Sequence, residues 1–318
     1  MLYLSDEEVA EILTMKEAID AVEKAFGEFA RGSATMPPRS TIMLDKYNGS
    51  VSLMPSYLEE TAVLATKIIS IYPGNPQKGL PTTTASIVVN DPETGIIDAI
   101  IDGTYLTSVR TGAVSGVAAR YLAPKDTRVA AVIGCGAQGR TQAWAMAETF
   151  DLDQLRIFDV FPGGMDRFAD EMGPRLGVDI VKAGSGEEAV KGADIVLTAT
   201  TSKEPVVRRA WLGDRVHVGA FGSFYPETRE LDTAIIVEAK VVVDSMEATM
   251  DEAGDLLIPI SEGAITVDHI YAELGEVVNG DKEGRTPGDG LTVFKSVGIA
   301  IQDSSVASLV LRKYRESQ

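Results

Sequence analysis

Lys67 is the one charged residue in an otherwise apolar segment, Val63-Leu-Ala-Thr-Lys-Ile-Ile-Ser-Ile-Tyr72. A period of two places it on one strand face with Val63, Ala65, Ile69 and Ile71. An ammonium on such a face is costly to bury without a partner, and burial lowers its pKa toward the range useful for proton transfer. Two readings stay open: a buried acid–base, or an edge-strand lysine whose amine reaches water along its aliphatic stem. Histidine, the commoner proton carrier, occurs only as His217, in strand-like 215–219, and His269, beside Ile270 and Tyr271. Both read most simply as structural.

Two arginines offer anion recognition. Arg110 lies in Thr107-Ser-Val-Arg-Thr-Gly112, at the start of a predicted helix. A cation there is unfavourable unless an anion joins it, so Arg110 reads as a binder of carboxylate or phosphate. Arg39 follows Met36-Pro-Pro38 and by itself reads as a surface residue. The guanidinium fork suits a planar carboxylate because it binds two oxygens at once.

A third constellation is Arg128-Val-Ala-Ala-Val-Ile-Gly-Cys-Gly-Ala-Gln-Gly139. An apolar run breaks at Gly134, and Gly136 and Gly139 complete G-x-G-x-x-G before a helical pattern over 140–150. Gly134 would make the tight turn, Gly136 would let backbone approach a pyrophosphate, and Gly139 would allow close helix–strand packing. The helix N-terminus offers free N–H groups to the phosphates. A second strand, 154–159, ends in Asp159, 20 positions after Gly139, where an acid meets the adenosine ribose. Strand, loop, helix, strand and acid in this order predict a dinucleotide site. Asp159 can accept from a 2′-hydroxyl but would repel a 2′-phosphate. The first cation beyond it is Arg167, so NAD is expected over NADP.

These groups need elements to hold them. Capping boxes at Ser5-x-x-Glu8 and Thr14-x-x-Glu17 open two helices. The second buries Ile19, Val22, Phe26 and Phe29 and ends at Gly32. Strand-like segments at 50–54, 63–72, 83–89 and 96–101 follow, separated by turns, and predict a mixed or antiparallel sheet. A small-residue helix is expected over 108–122, with Gly112, Ser115, Gly116 and Ala119 permitting close packing. Residues 127–245 then alternate strand and helix as a doubly wound sheet does, with later strands at 194–198, 215–220 and 240–244. The expected fold is α/β: a mixed α+β domain over 1–124, rejoined by 291–318, and a Rossmann domain over 125–290.

Composition narrows the function. The chain's 318 residues give room for two domains with their own cores. A net charge of −18 argues against nucleic acid or anionic membrane as partner, since both need a basic surface. No apolar run is long enough to cross a bilayer, and residues 1–8 lack the features of a signal peptide. The single cysteine, Cys135, excludes an internal disulfide and a cysteine-based zinc site, so no metal and a cytoplasmic setting are expected.

Taken in order, Met36-Pro-Pro-Arg39, Lys67, Gly79-Leu-Pro-Thr82, Thr107–Gly112, Gly134–Gly139, Ala193–Thr200 and Phe294–Asp303 resemble the ornithine cyclodeaminase/mu-crystallin family across nearly the whole chain. The resemblance implies a substrate and dimerisation domain joined to a Rossmann domain, and a homodimer. It implies Arg39, Lys67 and Arg110 around the substrate carboxylate, with Lys67 and Arg110 catalytic. Around the dinucleotide it implies Thr82, Arg110, Gly134, Gly136, Ala137, Gln138, Gly139, Asp159, Thr200, the 218–221 strand end with Gly219, and Ser296. Cyclodeaminases of the family carry an aspartate where this chain has Phe224, in Gly222-Ser-Phe-Tyr-Pro-Glu-Thr-Arg-Glu-Leu231. Phenylalanine can do no acid–base work, and this segment resembles the imine reductase and alanine dehydrogenase branch. The expected activity is therefore an NAD-dependent oxidoreductase of amino-acid metabolism. It would reduce the C=N bond of a small 2-imino acid of iminosuccinate, iminopropionate or pyrroline-2-carboxylate type, made from a 2-oxo acid and an amine or already cyclic, to an L-amino acid. The several cations would suit a dicarboxylate. The alternatives are an ornithine-type cyclodeaminase and a non-catalytic NAD-binding protein.

Overall fold

Alternation of apolar and polar residues over 49–102 builds the sheet on which Lys67 lies. The computed structural model describes residues 1–318 and divides into two units, 1–110 with 299–318, and 111–298.

In the first unit the strands are β1 (Leu2–Leu4), β2 (Ala34–Thr35), β3 (Ser40–Leu44), β4 (Gly49–Leu58), β5 (Val63–Ile71), β6 (Thr83–Asn90) and β7 (Ile97–Asp102). Their order is β1-β7-β6-β5-β4-β2, with β3 also on β4. The β1–β7 pair is parallel and the others antiparallel. One face buries Met54, Leu58, Val63, Ala65, Ala85, Ile87 and Val89. Helix α1 (Asp6–Ile12) precedes α2 (Met15–Ala30), which packs against the C-terminal helix Ala300–Glu316. The C-terminal helix in turn packs against β4, β5 and β6.

Both predicted caps are present in part or in full. Ser5 and Glu8 cap α1 reciprocally. Thr14 accepts the Glu17 N–H, but the Glu17 carboxylate goes to the Thr14 hydroxyl and Lys313 instead of the cap backbone.

Helix α3 (Thr104–Leu122) starts four residues before the predicted start at 108. Asp102 accepts the Thr104 N–H at 3.1 Å and Asp6 accepts the Tyr105 N–H at 2.9 Å. Arg110 therefore sits in the second turn of α3, not at the helix start expected from the sequence.

The second unit has eight parallel strands: β8 (Val129–Ile133), β9 (Gln154–Phe158), β10 (Asp179–Lys182), β11 (Ile195–Thr198), β12 (Val216–Ala220), β13 (Lys240–Val243), β14 (Ile270–Glu273) and β15 (Leu291–Lys295). Their order is β10-β9-β8-β11-β12-β15-β13-β14. β15 lies between β12 and β13, so residues 291–298 stay with this unit. The chain returns to the first unit only at Ile299, not at 291 as the sequence suggested. The reason is in the side chains: Leu291, Val293 and Phe294 are buried apolar residues suited to a central parallel strand. Winding reverses between β8 and β11, and in such sheets ligands bind outside the strand carboxyl ends at that point. Helix α4 (Ala137–Thr149) leaves β8 through the glycine loop.

Candidate active site

β5 is flanked on both sides, by β4 and β6, so Lys67 is not an edge residue. It lies opposite Met54 and Ile87 and is 1% exposed. Its Nζ meets Asp303 Oδ2 at 2.7 Å and has no other acceptor. Asp303 Oδ1 accepts from Arg110 Nε at 3.0 Å, and Arg110 Nη1 donates to Gln302 Oε1 at 2.5 Å. Asp303 occupies the first turn of its helix, where the helix dipole favours a carboxylate.

One carboxylate thus serves two buried cations. Burial pulls the Lys67 pKa down to about 7, the Arg110 charge adds to the fall, and Asp303 opposes it. Arg39, half-buried, lies near enough to lower it further. An amine poised near neutral pH among cations can hold or release a proton while its neighbours attract an anion.

The structure brings Lys67, Arg110 and Arg39 into one electrostatic cluster. Sequence reasoning missed Asp303 and Gln302, although both stand in the segment quoted for the family. The available signal was an acid flanked by Ile301 and Val306 in a helix pattern, because a buried cation needs such a partner.

In the second unit the three glycines have separable reasons. Gly134 has φ +103°, and a Cβ there would come within 2.5 Å of the Ala199 carbonyl oxygen. A Cβ on Gly139 would sit 1.9 Å from the Gly134 oxygen. Gly136, by contrast, faces open space, which leaves its backbone approachable. It is also the N-cap of α4, and no side chain caps that end. Asp159 is held beside the loop: one oxygen accepts the Cys135 N–H at 2.8 Å and the other the Phe161 N–H at 2.9 Å. Val160 and Phe161 next to it are exposed and uncharged. Gln138 Oε1 is buried without a hydrogen-bond partner. An open glycine, an uncapped helix end, a fixed acid and an orphaned amide oxygen together fit an NAD pyrophosphate and adenosine ribose.

The remaining candidates have these settings. Thr200 gives its N–H and hydroxyl to Glu230. A Cβ on Gly219 would crowd Phe221 and Leu197. Ser296 donates to Asp244 at 2.7 Å. Ala137 is exposed in the first turn of α4, and Thr82 is exposed in the first unit, its carbonyl accepting the Tyr72 N–H. His217 is buried, bonded to Thr292 and held neutral with a pKa near 3 by desolvation, and His269 bonds the Ile236 carbonyl. Burial and Asp159 push the Cys135 thiol up to about 12, so it is no nucleophile.

A doubly wound domain with a dinucleotide loop, joined to a sheet domain that buries a lysine among arginines, defines an oxidoreductase-like α/β protein. The ornithine cyclodeaminase/mu-crystallin family model matches residues 1–318, and the chain belongs to that family. Alanine dehydrogenase of Archaeoglobus fulgidus is 40% identical over 97% of this chain and 94% of its own. The structure of Thermococcus litoralis Delta(1)-pyrroline-2-carboxylate reductase with NADH and L-proline superposes with TM-score 0.97 at 44% identity, covering 100% of this chain and 98% of that one. The iminosuccinate reductase of Paracoccus denitrificans with NAD+ gives TM-score 0.93 at 27% identity, covering 100% and 97%.

Proposed function

We propose that the chain is an NAD(H)-dependent oxidoreductase that reduces the C=N bond of a small 2-imino acid to an L-amino acid. The observation that carries this is the buried Lys67 amine, brought near neutrality and held by Asp303 beside Arg110.

The glycine loop and the α4 N-terminus would hold the pyrophosphate, and Asp159 the ribose hydroxyls. Bound NADH supplies the hydride that reaches the imine carbon. Arg110 and Arg39 hold the substrate carboxylate. Lys67, protonated, gives its Nζ proton to the imine nitrogen and ends neutral. C=N thereby becomes CH–NH, with the hydride on carbon and the proton on nitrogen. The arriving carboxylate stabilises the charged amine, so the proton stays on Lys67 until the nitrogen needs it. Asp303 already offsets one of the three cations, which favours a monocarboxylate such as pyrroline-2-carboxylate or iminopropionate over iminosuccinate.

Phe224 supports reduction over cyclodeamination, since its ring packs at a tilt against Tyr225 and offers no acid. The reading includes a homodimer, supported by exposed Ile42, Leu53 and Ile68 on one face of the first sheet. It also includes a cytoplasmic setting, against which the single cysteine, Cys135, sets no disulfide. No helix is long and apolar enough to cross a membrane.

The test is NADH oxidation with pyrroline-2-carboxylate, and with 2-oxo acids plus ammonia or methylamine, the product amino acid being identified. Turnover to an L-amino acid is expected. Absence of NADH oxidation with all of these, or proline formed from ornithine with NAD, would overturn the reading.

A further inference from the structure

Glu230 belongs to the Gly222–Leu231 segment, and nothing in the proposed chemistry uses it. It is fully buried, yet it has an unusually complete set of donors. Oε1 accepts the Thr200 N–H at 2.6 Å and the Thr200 hydroxyl at 2.8 Å. Oε2 accepts the Thr198 hydroxyl at 2.8 Å and the Gly222 N–H at 2.6 Å. Two of the four donors are backbone N–H groups, which cannot turn away.

The tied residues sit at the carboxyl ends of β11 and β12, beside the reversal in winding where dinucleotides bind. Thr200 in turn abuts the glycine loop: a Cβ on Gly134 would lie 2.5 Å from the Ala199 oxygen and 3.1 Å from Thr200 Cγ2. Gly222 is pressed so close that a Cβ would be 2.1 Å from the Thr200 oxygen. Behind this knot Asp255 accepts the Glu230 and Leu231 N–H groups at 2.7 and 2.9 Å and pairs with Lys295 at 2.9 Å. Lys295 also donates to the Ser223 carbonyl.

We infer that Glu230 is a positioning residue for the dinucleotide, fixing Thr200 and Gly222 against the glycine loop so that the crevice is formed before NADH arrives. The inference rests on the NAD site of the proposed function but not on the identity of the imine. Glutamine in its place would present an NH2 group to two donors and leave them unpaired.

The experiment is a fluorescence titration of NADH against the full chain without substrate, with thermal melts of each variant and imine turnover of the wild type in parallel. Glu230→Gln should weaken NADH binding about tenfold or more, as expected when buried donors lose their acceptor. Thr198→Val removes one rotatable donor from Oε2 and should weaken binding by a smaller factor. It decides the question if Glu230→Gln does not fold. Lys240→Met, which breaks a pair with Asp289 at the amino end of β13, should lower the melting temperature and leave NADH affinity unchanged. NADH affinity within twofold of wild type in the foldable Glu230 and Thr198 variants, despite a lower melting temperature, would overturn the inference. A wild type that binds NADH but reduces no imine would sink the proposed reaction and leave the role of Glu230 standing.

Discussion

Each unit buries one lysine against one aspartate, and the two pairs differ in what else surrounds them. Lys295 and Asp255 are 2.9 Å apart with both side chains fully buried, and Lys67 and Asp303 are 2.7 Å apart and equally buried. Lys295 has a second acceptor in the Ser223 carbonyl, and Asp255 spends its other oxygen on two backbone N–H groups. Beyond their own pairing, both side chains bond only backbone groups, and the pair, with the buried acid Glu230 beside it, fastens a loop. Lys67 has Asp303 alone, shares it with Arg110, and feels Arg39 as well. Burial of an ion pair does not by itself mark chemistry. A surplus of positive charge around the lysine does.

Substitutions should separate the two pairs. The largest expected effect is on turnover. Lys67→Met should lower imine reduction about 100- to 10,000-fold, the usual contribution of a positioned acid–base group, with NADH binding near normal. Stability should not fall, because a desolvated cation is removed while Asp303 keeps Arg110. Lys67→Arg should restore little, since guanidinium does not give up its proton. Steady-state rates and melts on the same preparations check both halves. Lys295→Met should behave in the opposite sense, destabilising the fold by about 3–5 kcal/mol because Asp255 is left buried without its cation. Denaturant unfolding measures this, and a loss as small as that of a surface pair would erase the contrast between the two pairs.

Much of this was legible in the residues. The glycine loop and Asp159 could be placed because each glycine answers a local backbone demand, and local demands are written in spacing. Lys67 could be flagged, but strand period alone left it between core and edge. The flanking strands β4 and β6 decide that, and pairing order is not local. Asp303 and Arg110 lie 193 positions apart in sequence, so no motif joins them. The same holds for Glu230, whose four donors come from two strand ends that only the sheet makes neighbours. The β15 boundary was misread because only four residues, 296–299, part the strand from the helix, so the two read as one C-terminal block.

Cofactor selection sharpens the comparison from the second unit. Asp159→Ser with Val160→Arg should shift the ratio of NADPH to NADH efficiency upward by about tenfold or more, by removing repulsion and adding a phosphate partner. Overall binding should weaken, because the Asp159 carboxylate also holds the Cys135 and Phe161 N–H groups. Wild-type use of NADPH as efficient as that of NADH would contradict the role given to Asp159.

The smallest effect is the most telling. Lys67 donates its proton in the protonated form, so imine reduction should decline as pH rises through the free-enzyme value near 7. Removing the Asp303 charge withdraws the one influence that keeps the amine protonated, so Asp303→Asn should move that decline to lower pH, by about one unit or more. The substrate's own ionisation is common to both proteins and cancels in the difference. The decisive measurement is therefore the pH profile of kcat/KM for imine reduction in wild type and Asp303→Asn. A downward displacement of the alkaline limb is predicted, and coincident limbs in the two proteins would contradict the assignment of Lys67 as the proton donor.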